Sequence, residues 1–411
     1  MLKKTVQFYI ILLFTLKAYS QNIEVCASCK VKTLTEAVVK AKPYSKIIIQ
    51  KGRYLENNIL INKPLEIIGK NNPIIDGQYK EYVLIIKSDS VTVSGLNIKN
   101  PGRSYTKDYA AVYISTSNYV TFKNNTLESV FFGFLIEKSR YGKIINNHVS
   151  SQAVDQSASG NGIHLWNCSN MLIEKNEAHN LRDGIYLEFV KHSKVINNKS
   201  HDNMRYGLHF MFSNKNEYHN NTFTNNGAGV AVMFSKYIKM TGNTFSKNWG
   251  TASYGLLLKE IYDADIENNT FKENTIGINV EGSTRINYLK NNFISNGWSV
   301  KIAGACYTNI FKDNNFLNNS FDISYNSKIN DNKFDNNYWS SYTGYDLDKN
   351  GIGDVPYRPV KLFSYIVNKT PETIILMRSL FVDIINFSEK VSPVFTPNKL
   401  VDSNPLMKPF K

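Results

Sequence analysis

From about residue 120 to residue 320 the chain alternates apolar and polar positions in short runs that recur. After each of Gly133, Gly162, Gly184, Gly207, Gly229, Gly255 and Gly277 the first and third residues are apolar, from Phe134/Ile136 to Ile278/Val280. Period two marks a strand with one face inward, whereas an amphipathic helix spaces its apolar residues by three and four. A second marker, an Asn-Asn or related pair, returns from Asn124-Asn125 to Asn314-Asn315. Counted from Asn125 to Asn315, it repeats over 190 residues in eight intervals, or 23.75 each. The Asn follows the Gly by 14 residues in six coils and by 15 in the last, Gly277 to Asn292. Two residues beyond the Asn lies another inward column, Leu127, Val149, Ala178, Phe223, Phe245 and Phe271, broken only by Ser200.

A repeat of this length with strand periodicity defines a solenoid whose coils share one apolar core and stack about 4.8 Å apart. The Asn is expected at a corner, where it tolerates the left-handed conformation and ladders its amide between coils. The expected fold is all-β: a single-stranded parallel β-helix, right-handed by the crossover rule, of the pectin-lyase-like kind. Thr33–Lys42 predicts a short helix with Leu34, Ala37, Val38 and Ala41 inward, covering the open N-terminal end. Thr373–Ser388 predicts one amphipathic helix with Ile374, Met377, Phe381 and Ile384 on a face; Arg378 and Asp383 make it a poor membrane span. The expected organisation is a signal peptide at 1–20, cap and first coils at 21–80, β-helix repeats at 81–340, and a C-terminal loop, helix and tail at 341–411.

Export follows from the N-terminus. Lys3 and Lys4 precede an apolar run, Phe8 to Phe14, too short to span a bilayer, and Ala18-Tyr19-Ser20 offers cleavage near Ser20. The formal charge is +14; removing Lys3, Lys4 and Lys17 leaves +11 on the mature chain. That charge alone does not choose among nucleic acid, acidic glycans and an anionic membrane face. The composition, 42% hydrophobic and 20% charged, excludes a disordered chain and a polytopic membrane protein.

The Asn-to-Gly gap is 8 or 9 except for 15 before Gly162 and 12 before Gly255, so both insertions leave from one edge. Insertions sharing an edge often mark a binding face. All seven histidines fall between His148 and His219. On the outward side of the strand after Gly, the second position reads Leu135, His164, Tyr186, His209, Ala231. The fourth reads Glu137, Trp166, Glu188, Met211, Met233. His209, Met211 and Met233 are therefore expected on one outer face of adjacent coils, with His164 in reserve. Thioether plus imidazole suits Cu(I); the alternative is an apolar dock that binds no metal. His179 and His201 share another outward column, expected as solvated surface. Cys26 and Cys29 form either a disulfide pinning the cap or a copper-binding dithiol; Cys168 and Cys306 lie in different coils. Asp346, Asp348, Asn350 and Asp354 have the 1, 3, 5, 9 spacing of a calcium loop, with Gly351 at the turn and Tyr357 where the bidentate Glu belongs. Calcium binding and a polar turn closing the last coil are both open. A polysaccharide hydrolase or lyase needs clustered carboxylates; the chain has no Asp-Asp pair, and Glu137, Glu188 and Glu281 are scattered.

The capping segment through Ile74-Ile75-Asp76-Gly77, the Asn/Gly coils, Asn337-Tyr338-Trp339 with Gly351-Ile352-Gly353-Asp354, and Val401-Asp402-Ser403-Asn404-Pro405-Leu406 together resemble the NosD family, exported β-helix proteins of nitrous oxide reductase maturation. The resemblance covers nearly the whole mature chain, and the C-terminal signature is its specific part. It implies a periplasmic, non-enzymatic accessory protein of an ABC-type complex, with a membrane permease and ATPase as partners. It further implies that copper is received from a chaperone lipoprotein and passed toward nitrous oxide reductase, with no nucleic-acid partner. The family supplies no ligand motif to transfer, so the copper positions rest on the register. The alternative function is an extracellular or periplasmic β-helix that binds or cleaves acidic polysaccharide.

Overall fold

A computed structural model describes residues 22–104, 106–326, 331–392, 397 and 400–410. The expected signal peptide at 1–20 lies outside the described residues. Three parallel sheets of 14, 12 and 13 strands run the length of the molecule, each coil giving one strand to each sheet. The inward columns fall into register as the spacing requires: Ile163, Ile185, Leu208 and Val230 are successive partners in the 12-stranded sheet. In the 13-stranded sheet Phe223, Phe245, Phe271, Phe293, Phe316 and Trp339 stack ring on ring, with centroids 4.1–5.5 Å apart. Each such buried ring stabilises the core by roughly 1.5–3 kcal/mol. Ser200 is buried in this column without penalty, donating to the Gly207 carbonyl at 2.7 Å and accepting from Asn203 at 3.0 Å.

The Asn pair divides two tasks between its members. The first residue takes the left-handed conformation, as at Asn146, Lys175, Asn197, Asn220 and Gly242. The second is buried and carries the ladder: Asn221 accepts from the backbone and side chain of Asn198 at 2.9 and 3.0 Å and donates to Asn243 at 2.9 Å. The ladder runs through Asn291 and Asn314, not Asn292 and Asn315, so the last Gly-to-Asn interval is 291 − 277 = 14 like the others. A second ladder, Asn203 to Asn319 through Asn226, Asn248, Asn274 and Asn296, holds another corner.

Both ends are closed by acids. At the N-terminal end helix α1 (Leu34–Lys40) buries Leu34, Ala37 and Val38, and the Glu56 carboxylate accepts from the first-turn amides of Leu34 and Thr35 at 2.7 and 2.8 Å. At the other end Asp402 terminates the Asn ladder, accepting from Asn337 at 3.0 Å and from the Trp339 indole at 2.9 Å. The C-terminal helical region differs from the single helix expected over 373–388. Helix α2 (Leu362–Lys369) comes first, then a 3₁₀ segment Pro371–Leu376, then helix α3 (Leu380–Val391). Extended backbone at Ser379 separates the last two, consistent with the preference of Ser for helix boundaries over interiors. No helix among the described residues is long and apolar enough to cross a membrane.

Candidate functional site

The outer face of the 12-stranded sheet carries the predicted columns. His164, Tyr186, His209 and Ala231 are partners in successive coils, as are Trp166, Glu188, Met211, Met233 and Lys259. Met211 and Met233 therefore lie side by side, half-buried, flanked by Glu188 and Lys259. His209 and Met211 share a face with backbones about 6.6 Å apart by strand rise.

His209 departs from the exposure expected of it. It is 6% exposed, held between the Tyr186 and Tyr206 rings at 4.9 Å from each. Its Nδ1 lies 3.8 Å from Asp183, and neither ring nitrogen has a hydrogen-bond partner. The reserve role given to His164 also fails on geometry, because the Tyr186 ring lies between the two imidazoles, 4.6 Å from His164 and 4.9 Å from His209. Burial, reinforced by the Arg182 guanidinium, pushes His164 down to about 4, so it is neutral at neutral pH. Asp183 is fully buried on this outward face and is gripped by Arg205, with Nε to Oδ1 at 2.8 Å and a second contact through Nη2. Burial pushes its carboxyl up, but the Arg205 guanidinium and His209 outweigh that and hold it below the ordinary carboxylate range.

Sequence reasoning passed over Asp183 and Arg205, although Asp183 immediately precedes a marker glycine, where other coils place Phe132, Tyr206, Ala228 or Tyr254. It also passed over Phe189, Phe212 and Phe234, which occupy one corner in three successive coils, all with positive φ of 48–54°. Bulky residues avoid that region. Phe189 and Phe212 are nonetheless exposed and stack at 5.2 Å, as do Phe212 and Phe234. The same corner carries Lys138, Asn167, Glu260 and Gly282 in other coils. The three rings immediately follow Glu188, Met211 and Met233, so an aromatic ladder, exposed at Phe189 and Phe212 and half-buried at Phe234, borders the methionine pair.

Cys26 and Cys29 are joined by a disulfide just before helix α1. Cys168 and Cys306 are buried thiols donating to the Trp166 and Ala303 carbonyls at 3.3 and 3.2 Å; burial pushes Cys168 up to about 12. In the 346–354 loop the carboxylates turn to backbone amides: Asp346 accepts from Asn350 and Gly351 at 3.1 and 2.9 Å, and Asp354 from Leu347 at 2.7 Å. Among the described residues no group of three or more His, Cys, Asp or Glu is disposed to hold a metal. From this loop Ile352 and Tyr357 bridge to Leu406 and Asp402 of the closing segment. Between the last coils and α2–α3 lies a cavity of about 960 Å³ lined by Phe321, Asp322, Tyr357, Phe363 and Glu389.

These features define a parallel β-helix whose outer rim carries a thioether pair beside a stacked aromatic ladder. The sequence model of a family described as "Periplasmic copper-binding protein (NosD)" matches residues 145–345. A probable ABC transporter binding protein NosD of Pseudomonas aeruginosa is 26% identical over 404 residues, covering 87% of either chain. A protein of the same description from Stutzerimonas stutzeri is 27% identical over 377 residues, covering 87% of this chain and 85% of its own. The family model and both relatives together support membership of the NosD family. Solved structures share the fold alone. Bacteriophage phi29 gene product 12 matches with a TM-score of 0.53 at 12% identity, over 72% of this chain and 48% of its own. DFA-IIIase from Arthrobacter chlorophenolicus A6 matches with 0.52 at 13%, over 72% and 89%.

Proposed function

We propose that this protein is a periplasmic, non-enzymatic component working with an ABC-type transporter, taking Cu(I) from a chaperone lipoprotein and passing it toward nitrous oxide reductase. The observation that carries the reading is the Met211–Met233 pair beside the stacked Phe189–Phe212–Phe234 ladder, whose first two rings are exposed. The left-handed conformation recurs at this corner in other coils, at Lys138, Asn167 and Glu260, so what sets these three coils apart is the aromatic ring placed there. Exposed rings give a partner an apolar footing, and the two thioethers give Cu(I) soft ligands at the same rim. His209 adds a third ligand on rotation out from between Tyr186 and Tyr206. A shallow site of this kind suits transfer, because a deeply enclosed one releases its metal slowly.

The test is the copper content of nitrous oxide reductase in a deletion strain complemented with the parent chain or with Met211→Leu/Met233→Leu. Leucine keeps the apolar surface and removes the sulfur. The expected result is restored loading with the parent and a loss of tenfold or more with the double variant. Full loading by the variant overturns metal ligation at this pair and leaves a dock. The polysaccharide reading has one observation in its favour, the buried Asp183–Arg205 pair on an outer face rich in tyrosine. Binding to a panel of acidic polysaccharides, abolished by Arg205→Gln, would support it over copper transfer.

A further inference from the structure

On the 13-stranded sheet, away from the methionine rim, three histidines converge. His148 and His179 present their Nε2 atoms to one another at 3.1 Å across adjacent coils. The His148 Nδ1 lies 3.3 Å from Glu177 Oε2. A carboxylate only accepts, so His148 carries its proton on Nδ1 and turns a lone pair on Nε2 toward His179. Behind the pair, Glu177 is fixed by Lys199 at 2.8 Å and by His201 at 3.0 Å. The Lys199 ammonium, with help from His201, brings its carboxyl down to about 2, so it stays ionised. His201 stacks on His179 at 5.0 Å and 8°, but its two nitrogens face Glu177 and Asp202 and are taken. Both facing imidazoles are half-buried, with one edge toward solvent.

We infer that His148 and His179 form a two-coordinate site for a d-block cation, which replaces the single proton that bridges their Nε2 atoms in the metal-free chain. Imidazole is a good ligand for copper and zinc. Metal–nitrogen bonds of about 2.0 Å open the gap from 3.1 Å to about 4 Å, a ring rotation that half-buried side chains accommodate. Zinc in structural sites takes four ligands, and the carboxylate here is engaged on the far side of His148. Cu(I), which is content with two, is the match. A carboxylate on the other nitrogen orients the ring and raises the basicity of the ligating one, the arrangement usual behind metal-bound histidine. The ion would meet an all-nitrogen pair distinct in chemistry from the thioethers of the rim, so this assignment stands without the transfer reading.

The experiment is anaerobic Cu(I) titration of the full mature chain against a chromophoric competitor chelator, with X-ray absorption of the bound metal and a parallel Zn(II) titration. His148→Gln/His179→Gln, and His179→Gln alone, are expected to lose one Cu(I) equivalent or bind it at least tenfold more weakly, and the lost equivalent shows only nitrogen or oxygen neighbours. His201→Gln and Met211→Leu/Met233→Leu are expected to retain it. The inference is overturned if the histidine variants bind as much Cu(I) as the parent, if the lost equivalent shows sulfur, or if Zn(II) binds the pair more tightly. Failure of the transfer reading leaves these outcomes unchanged, because they are read on the isolated chain.

Discussion

Asn220 and Asn221 show how one dipeptide carries two unlike constraints. Asn220 sits at φ 54°, where Asn and Gly are tolerated and other residues are strained. Asn221 is 1% exposed, and its amide is bonded to Asn198, Asn243 and the Val195 carbonyl. Asn220→Gly is expected to change stability by less than about 0.5 kcal/mol, since relief of the left-handed strain offsets the extra freedom of the unfolded chain. Asn221→Ala is expected to cost about 3 kcal/mol, because it strands buried groups above and below it. Urea denaturation of the two variants checks the difference, and equal costs would mean that the ladder contributes nothing beyond turn geometry. His164 gives a pH dependence. Its folded-state value of about 4 lies below the ordinary value of 6.5, so the unfolded chain takes up a proton first as pH falls. Stability from this group is therefore present above pH 6.5 and is lost as pH drops toward 4, by about 2 kcal/mol between pH 7 and 5. His164→Gln is expected to flatten that part of the pH–stability curve, measured by denaturation at the two pH values; an unchanged slope would refute the buried neutral imidazole.

Elements whose inward and outward faces alternate were legible in the sequence, because burial in a stacked coil leaves a column at fixed spacing. The strands around Ile163, Ile185 and Leu208, the placement of Met211 beside Met233, and α1 all follow from that spacing and from the Thr33 cap, whose side chain accepts from the Glu36 amide at 3.2 Å. What escaped has partners distant in sequence or breaks a column's chemistry. Asp402 terminates a ladder 65 residues upstream at Asn337, and no local pattern announces that contact. The second Asn ladder is interrupted in the earlier coils, so it does not appear as a repeat of the whole chain. The exposure of His209 was misjudged because strand alternation tells which face a residue takes, not what its neighbours lay over it; here Tyr186 and Tyr206 enclose the ring. Helix α2 was missed because its contacts are to the last coil, where Phe363 packs on Phe321 with ring centroids 6.0 Å apart.

At the scale of the whole molecule the β-helix is a rigid rod whose coils contact only their neighbours, so its faces act separately. The rim of Met211 and Met233 lies on one sheet, the histidine cluster on another, and α2–α3 pack against the C-terminal end. Helix α3 has two faces. Val382 and Glu389 are buried, and the Glu389 carboxylate accepts from the first amide of α2, Leu362, at 2.9 Å. Leu380, Phe381, Ile384, Phe387 and Val391 are all more than half exposed. A row of large apolar side chains left uncovered among the described residues is costly to leave in water and is the usual mark of a contact surface. Under the proposed function, which has an ABC-type transporter as partner, we propose this row as the face that meets the membrane permease. Phe381→Ser/Ile384→Ser/Phe387→Ser is expected to leave the fold intact, since the substituted side chains face solvent. It is expected to reduce co-purification with the permease by tenfold or more while leaving Cu(I) binding by the isolated chain at its parental value. Undiminished co-purification would move the docking surface elsewhere, and the Phe189–Phe212–Phe234 ladder would be the next surface to substitute.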